Sequence, residues 1–172
     1  MAKKNLSQMV VDFNIYDQNS KLLGVSKVTL PTLSWVTQQM QGAGIGGTVE
    51  VIARGMLEAM TLGLDLRMCS DRAYMMTTPG VHTLTLRNAE QYEDPVHGKI
   101  EIEGIKHVFS VMPKSLNPGS VAQASTHDGT AQFAVRRWAC YIKNERILEI
   151  DQLNGICFVW NKDWHADIND LI

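Results

Sequence analysis

The sequence has no run of about 18 apolar residues, the length an α-helix needs to cross a bilayer, so no membrane-spanning helix is expected. A signal-peptide core is missing as well. After Met1-Ala2-Lys3-Lys4 the chain is interrupted by Asn5, Ser7, Gln8 and Asp12, and secretion through such a signal is not expected. Cysteine is scarce: Cys69, Cys140 and Cys157 are odd in number and widely spaced. That pattern argues against a disulfide framework and for reduced thiols in a cytosolic setting. Charge of one sign is also lacking, since 16 basic and 18 acidic residues leave a formal net charge of −2. There is no basic excess with which to wrap nucleic acid. What remains is an ordinary globular balance, 45% hydrophobic and 20% charged over 172 residues, enough for one domain with its own core.

Catalytic and ligand signatures are equally sparse. The five histidines, His82, His97, His107, His127 and His165, never stand in H-x-x-x-H or at short spacing with cysteines. A zinc site needs such convergent ligands, and no metal site is expected. No G-x-S-x-G elbow occurs, and Cys140, between Trp138 and Ile142, reads as a buried, inert thiol. No catalytic residue and no cofactor is assigned. Glu101 and Glu103 alternate with Ile100 and Ile102, which reads as the solvated face of a strand rather than an acid–base pair. Glu90, Glu93 and Asp94 read as a loop. Arg136 and Arg137 beside Trp138 are adjacent on a strand and so point to opposite faces. An ion pair, at a subunit contact or with a nearby acid, is the expected use, not a nucleic-acid patch.

What is present is alternation with period two. Met60, Leu62, Leu64, Leu66 and Met68 are separated by Thr61, Gly63, Asp65 and Arg67, so one face of a strand is buried. Met9, Val11, Phe13 and Ile15 repeat the pattern, as does Lys99 to Glu103, and 133–143 is a long aromatic and β-branched strand. Shorter strands are expected at 22–30, 33–40, 48–53, 82–88, 106–112 and 146–150. Turns are expected at Asp17-Gln18-Asn19-Ser20 and Lys143-Asn144-Glu145, and a long loop at Pro113 to Gly129. Ser70-Asp71 caps a short helix that Pro79-Gly80 stops, and a second short helix is expected within 162–172, with Trp164, Ile168, Leu171 and Ile172 on one side. Residues 49–60 fit a helix by the spacing of Ile52, Met56 and Met60, but Gly55 and the β-branched start oppose it. The expected fold is mainly β, an α+β sandwich or barrel with one or two short flanking helices, in a single domain over 1–172.

One literal motif requires a decision. Gly42-Ala43-Gly44-Ile45-Gly46-Gly47 satisfies G-x-G-x-x-G, which cradles a pyrophosphate when it joins a buried strand to a helix. Here Gln38, Gln39 and Gln41 precede it, Thr48-Val49-Glu50-Val51-Ile52 follows as a strand, and the acid about twenty residues on, Asp65, lies mid-strand. A helix over 49–60 would rescue nucleotide binding; otherwise the glycines form a flexible loop between two strands.

The order of segments carries more. Val28-Thr29-Leu30-Pro31-Thr32-Leu33 is followed by Gln41 to Gly47, then by the alternating strand Met60–Met68. Arg146-Ile147-Leu148-Glu149-Ile150-Asp151-Gln152-Leu153-Asn154 stands near the C-terminus. In this order the chain resembles the major tail tube proteins of contractile phage tails and phage tail-like bacteriocins. Those proteins similarly carry a Leu-Pro-x-Leu step, a Gly-Ala-Gly loop and a Glu-Ile-Asp-x-x-Asn stretch. Residues 157–172, with Trp160 and Trp164, match nothing in that pattern and form a C-terminal arm of unassigned role. The resemblance implies a tail tube subunit without enzymatic activity, assembled in the bacterial host cytoplasm as hexameric rings that stack into a hollow conduit. Its partners would be itself, a sheath protein, and baseplate or initiator and tape measure proteins. DNA would pass without specific binding, and the chain would not insert into membrane. A tube subunit of a related contractile secretion system is the neighbouring reading. The resemblance places residues 40–50 at the ring-to-ring contact, with Met40, Gly42, Gly44, Ile45, Gly46 and Gly47 as interface residues. Where DNA passes, an acidic lumen would repel phosphates, and Asp65, Glu101 and Glu103 are the candidates for it.

Overall fold

Alternating segments become strands because each can bury one face, and in this protein one curled sheet gathers nearly all of them. A computed structural model describes residues 6–18, 20–22 and 24–171. Met1-Ala2-Lys3-Lys4, Asn19 of the first turn, Leu23 of the second run and Ile172 of the terminal apolar side lie outside the described residues. The strands are β1 (Leu6–Asp17), β2 (Ser20–Lys21), β3 (Val25–Thr29), β4 (Trp35–Met40), β5 (Val49–Leu57) and β6 (Met60–Leu66), then β7 (His82–Asp94), β8 (Lys99–Asn117), β9 (Gly129–Ile142), β10 (Glu145–Asp151), β11 (Ile156–Val159) and β12 (Lys162–Asp163). The described residues also include two short helices, α1 (Asp71–Met75) and α2 (Ala166–Asn169). The mainly-β expectation with two short helices holds, and among the described residues no helix is long and apolar enough to cross a membrane.

Ten strands form one antiparallel sheet along the path β12-β11-β10-β9-β8-β7-β1-β2, with β6 and then β3 branching from β9. The branch arises because β9 is long enough to serve two partners on one edge. Its first half pairs with β6, Val135 opposite Met60, and its second half with β10, Arg137 opposite Asp151. The change falls at Arg136, where β9 also bulges against β8 between Ser110 and Val111. A bulge bends and twists a strand, so the two branches diverge and the sheet wraps a single core. Leu62 and Leu64 from β6, Leu84 from β7, Phe109 and Val111 from β8, and Phe133 from β9 are fully buried there. The cap of α1 is as expected: the Ser70 hydroxyl accepts from the Ala73 amide, and Ala73 and Met76 are buried against the core.

Three expectations change, and one open choice is resolved. Glu90, Glu93 and Asp94 are not a loop but the end of β7, paired with Glu103, Ile100 and Lys99. The runs at 99–103 and 106–112 are one strand, which continues through Pro113 to Asn117, so the loop expected at 113–129 shrinks to 118–128. Pro113 is tolerated because a second bulge lies beside it, between Pro113 and Ser115, where a ladder N–H is not needed. The open choice at 49–60 resolves as strand over Val49–Leu57, with Met60 opening β6. Trp35 faces Leu57 and Thr37 faces Ile52, so Ala53 to Met56 bulge out opposite Val36, with Gly55 at φ +76°. That bulge, not a helix, produces the four-residue spacing of Ile52, Met56 and Met60. Finally, Glu101 and Glu103 do not form the solvated face. Ile100 and Ile102 are 59% and 66% exposed, whereas the Glu103 side chain is only 16% exposed beside Lys143 Nζ at 3.3 Å. Odd positions of β8 lead to His107, Phe109 and Val111 in the core, so the acids share the inner face, on a ribbon that runs past the core.

Candidate assembly surfaces

The β4–β5 hairpin is a two-stranded sheet of its own, with no strand partner in the main sheet among the described residues. Met40 pairs with Val49, Gln38 with Val51, and Thr37 with Ile52. Alternation puts Met40, Val49 and Val51 on one face, 51%, 47% and 43% exposed respectively. Ile52 and Met56 add exposed apolar surface elsewhere on the hairpin. A lone two-stranded hairpin is marginal in water, and one that shows its apolar face to solvent lacks the cover that would stabilise it.

The glycine loop is the tip of this hairpin. The Ile45 amide donates to the Gly42 carbonyl at 3.1 Å, and Gly44 takes φ +89°, a left-handed conformation that glycine adopts without strain. A Cβ at Gly42, Gly44, Gly46 or Gly47 would meet no atom within 4 Å. The six residues Met40, Gly42, Gly44, Ile45, Gly46 and Gly47 are thus brought together as one projecting tip. Strand, turn and strand is the wrong context for a pyrophosphate, which needs the N–H groups of a following helix; the helix that would rescue that reading is absent over 49–57.

The three lumen candidates are not brought together. Asp65 stands on the outer face of β6, opposite Lys27 and Thr130, and Thr130 in turn pairs with Asn117 at the C-terminal end of β8. Glu101 and Glu103 sit near the other end of β8, on the inner face, roughly 45 Å along a strand of that length. Lys99 Nζ lies 3.9 Å from Glu101. Tyr92, facing Glu101 across the ladder, donates to Glu90 at 2.9 Å, and that bond together with burial pushes its phenol up to about 12.

Several other polar groups are paired within the chain, although the buried Asp17 Oδ1 and Asn88 Oδ1 have no hydrogen-bond partner among the described residues. Arg137 Nε donates to Glu149 at 3.0 Å and Arg146 binds the second Glu149 oxygen, so the expected ion pair is a cross-strand one. Burial alone would raise the Glu149 carboxyl, but the two guanidiniums outweigh it and hold it below its usual range. His107 stacks on Phe109 and accepts from the Trp138 indole at 3.3 Å, and burial pushes its imidazole below its ordinary value. His82 lies 3.0 Å from the Thr78 carbonyl. Cys140 and Cys157 are buried, and burial pushes both thiols up. Among the described residues no three His, Cys, Asp or Glu side chains converge as metal ligands would.

In the C-terminal arm the expected short helix is present as α2, but the hairpin before it was missed. Trp160 and Asn161 take φ +48° and +63°, the signature of a two-residue hairpin turn between β11 and β12. The available signal was a short continuous apolar run, Ile156 to Trp160, ended by Asn161.

A family model described as phage tail tube protein FII matches residues 7–172, so the arm at 157–172, expected to match nothing in that family, falls within it. No curated protein matches the chain. Among solved structures the chain is similar to the sheath/tube terminator of an extracellular contractile injection system (PVC) seen by cryo-electron microscopy in the extended state. That likeness has a TM-score of 0.53 at 11% identity and covers 77% of this chain and 95% of the other. At that identity it speaks to the fold.

Proposed function

This chain belongs to the phage tail tube protein FII family, a structural family of tail tubes, and from that premise we propose that it is the repeating subunit of the inner tube of a contractile phage tail or tail-like particle. Six copies close into a ring, and rings stack into a hollow conduit that sheath contraction drives through a target envelope. It assembles in the bacterial host cytoplasm, on a baseplate or initiator and along a tape measure protein, and the sheath packs around it. Where the particle is a phage, DNA passes through the lumen without specific binding. The chain performs no catalysis.

The observation that carries this reading is the unpartnered β4–β5 hairpin, whose Met40, Val49 and Val51 are exposed on one face of a separate sheet. A hairpin of this kind, carried by a chain whose own core is complete, is suited to a neighbouring copy. Contact between different patches of identical subunits closes into rings or continues as a stack. The tip residues Met40 to Gly47 then order against the next ring. Asp65 is the acid best placed for the channel wall, because it stands on the outer face of the continuous sheet, whereas Glu101 and Glu103 lie on the opposite face beside Lys99 and Lys143. Negative-stain microscopy and sedimentation of the purified protein test the proposal. Rings or tubes with a central channel are expected, and a monomer that persists at every concentration refutes it.

A further inference from the structure

The C-terminal arm bridges the two sheets. On one side it is fixed to β11: the Trp164 amide donates to the Cys157 carbonyl at 2.8 Å, and the Asp163 carboxylate accepts from the Cys157 and His165 amides at 3.1 and 2.9 Å. On the other side it grips the hairpin. Arg54 of β5 donates to the Trp164 carbonyl at 3.2 Å, binds the Asp167 carboxylate and lies over the Trp164 ring at 5.9 Å. The Arg54 guanidinium holds the Asp167 carboxyl below its ordinary range.

Two glycines make room for this grip. A Cβ at Gly55 would come within 3.0 Å of His165 Cδ2 and 3.2 Å of the Trp164 carbonyl. A Cβ at Gly155 would come within 3.0 Å of Asn169 Oδ1, the oxygen 2.9 Å from His165 Nδ1. Asn169 also donates to the Gly155 carbonyl at 2.9 Å. The arm is therefore seated between the bulge of β5 and the turn after β10, although α2 itself buries no residue in the core. Its contacts serve orientation more than the core.

A second tie lies close to the hairpin root, where Gln152 donates to the Leu57 and Glu58 carbonyls at 3.0 Å each. A tie at the root alone leaves the hairpin free to swing. From Gly55 to Val49 the strand extends about 20 Å, so a tilt of about 10° moves its far end by roughly 4 Å, about the width of one strand spacing.

We infer that the C-terminal arm is a clasp: Arg54 bound to Trp164 and Asp167, with His165 seated on Gly55, holds the β4–β5 hairpin at the angle at which it meets the next ring. This rests on the reading of the hairpin as the ring-to-ring contact. An exposed ion pair contributes little to folding, so its loss shows in the hairpin's direction before it shows in the melting temperature.

The test uses the full chain with spin labels at Glu50→Cys and Glu145→Cys in a Cys69→Ser background. The inter-label distance is measured on dissociated subunits, and tube length is scored by microscopy in parallel. Arg54→Ala and Asp167→Ala are each expected to spread the distance by roughly 4 Å and to shorten tubes at an unchanged melting temperature. The exchanged pair Arg54→Asp with Asp167→Arg restores the ion pair but not the donation to the Trp164 carbonyl, and is expected to recover both only in part. Should an alanine variant melt early, Asp167→Asn replaces it. An unchanged distance in the single variants overturns the clasp, and so does a broadened distance with tubes of normal length. A wild-type chain that makes no tubes refutes the proposed function, while the distance measurement still decides whether the arm holds the hairpin.

Discussion

Replacing Val51 by threonine keeps the β-branched shape of the side chain and changes only its polarity, so it isolates the apolar contact proposed for the hairpin. Fully burying a valine contributes about 1.5 kcal/mol, and covering the exposed 43% of Val51 therefore contributes about 0.6 kcal/mol. A hydroxyl left without a partner in that contact costs about 1 kcal/mol more. The change is about 1.5 kcal/mol per subunit and, repeated around a ring of six, about 9 kcal/mol as an upper bound. That corresponds to about six orders of magnitude in the constant for adding one ring to the next. The isolated subunit should be indifferent, because an exposed substitution changes folding stability by no more than about 0.5 kcal/mol. The assay is the critical concentration for tube growth, followed by light scattering and microscopy, beside a thermal melt of the dissociated subunit. Val51→Thr should melt like the wild type and fail to elongate where the wild type forms tubes. Tubes at an unchanged critical concentration would refute the assignment of this face to the ring-to-ring contact.

Gly44→Val has open space around its Cβ but takes φ +89°, at a strain of about 1–2 kcal/mol; tube length should fall, with the melt lowered by no more than about 2–8 °C. Glu149→Gln leaves Arg137 and Arg146 without their shared carboxylate, and a destabilisation of about 1–3 kcal/mol is expected in urea. Because the Glu149 carboxyl is depressed in the folded state, its contribution is full above the usual value of 4.5 and lost as pH falls through the lower folded value. The Gln variant should therefore show a flatter acid limb. His107 is also depressed, by burial, so the folded state resists its protonation. Stability should be full above the ordinary value of 6.5 and decline as pH falls from there towards the folded value, and His107→Phe should remove that slope. Of the three cysteines only Cys69 is partly exposed; a thiol reagent should modify one cysteine in the native protein and three after denaturation.

Much of the fold was legible because alternation is a local signal. Leu62, Leu64 and Leu66 announce a buried face whatever they pack against, and Ser70 announces a helix start through its own hydroxyl. The acids of β7 and β8 were misread for the converse reason. Glu101 and Ile102 alternate as a solvated strand would, but which side is inner depends on where β8 sits relative to a core that ends near His107. Nothing local to Lys99–Glu103 encodes that end. The bulge at 53–56 was likewise unreadable as strand, because its four-residue spacing imitates a helix and only the pairing with Trp35 and Thr37 resolves it.

The candidate site divides along the same line. By itself the sequence determined a β-rich chain, a glycine-rich tip between two strands and the absence of a local catalytic or metal motif, since each depends on neighbours in the chain. It also carried the segment order by which the family was recognised. Tertiary structure alone decided that the glycine tip belongs to a hairpin outside the main sheet, that Asp65 and Glu103 face opposite ways, and that Arg54 reaches Asp167 across 113 residues. Those facts depend on how a curled sheet divides inside from outside and brings distant segments together, and the local pattern of side chains carries no record of either.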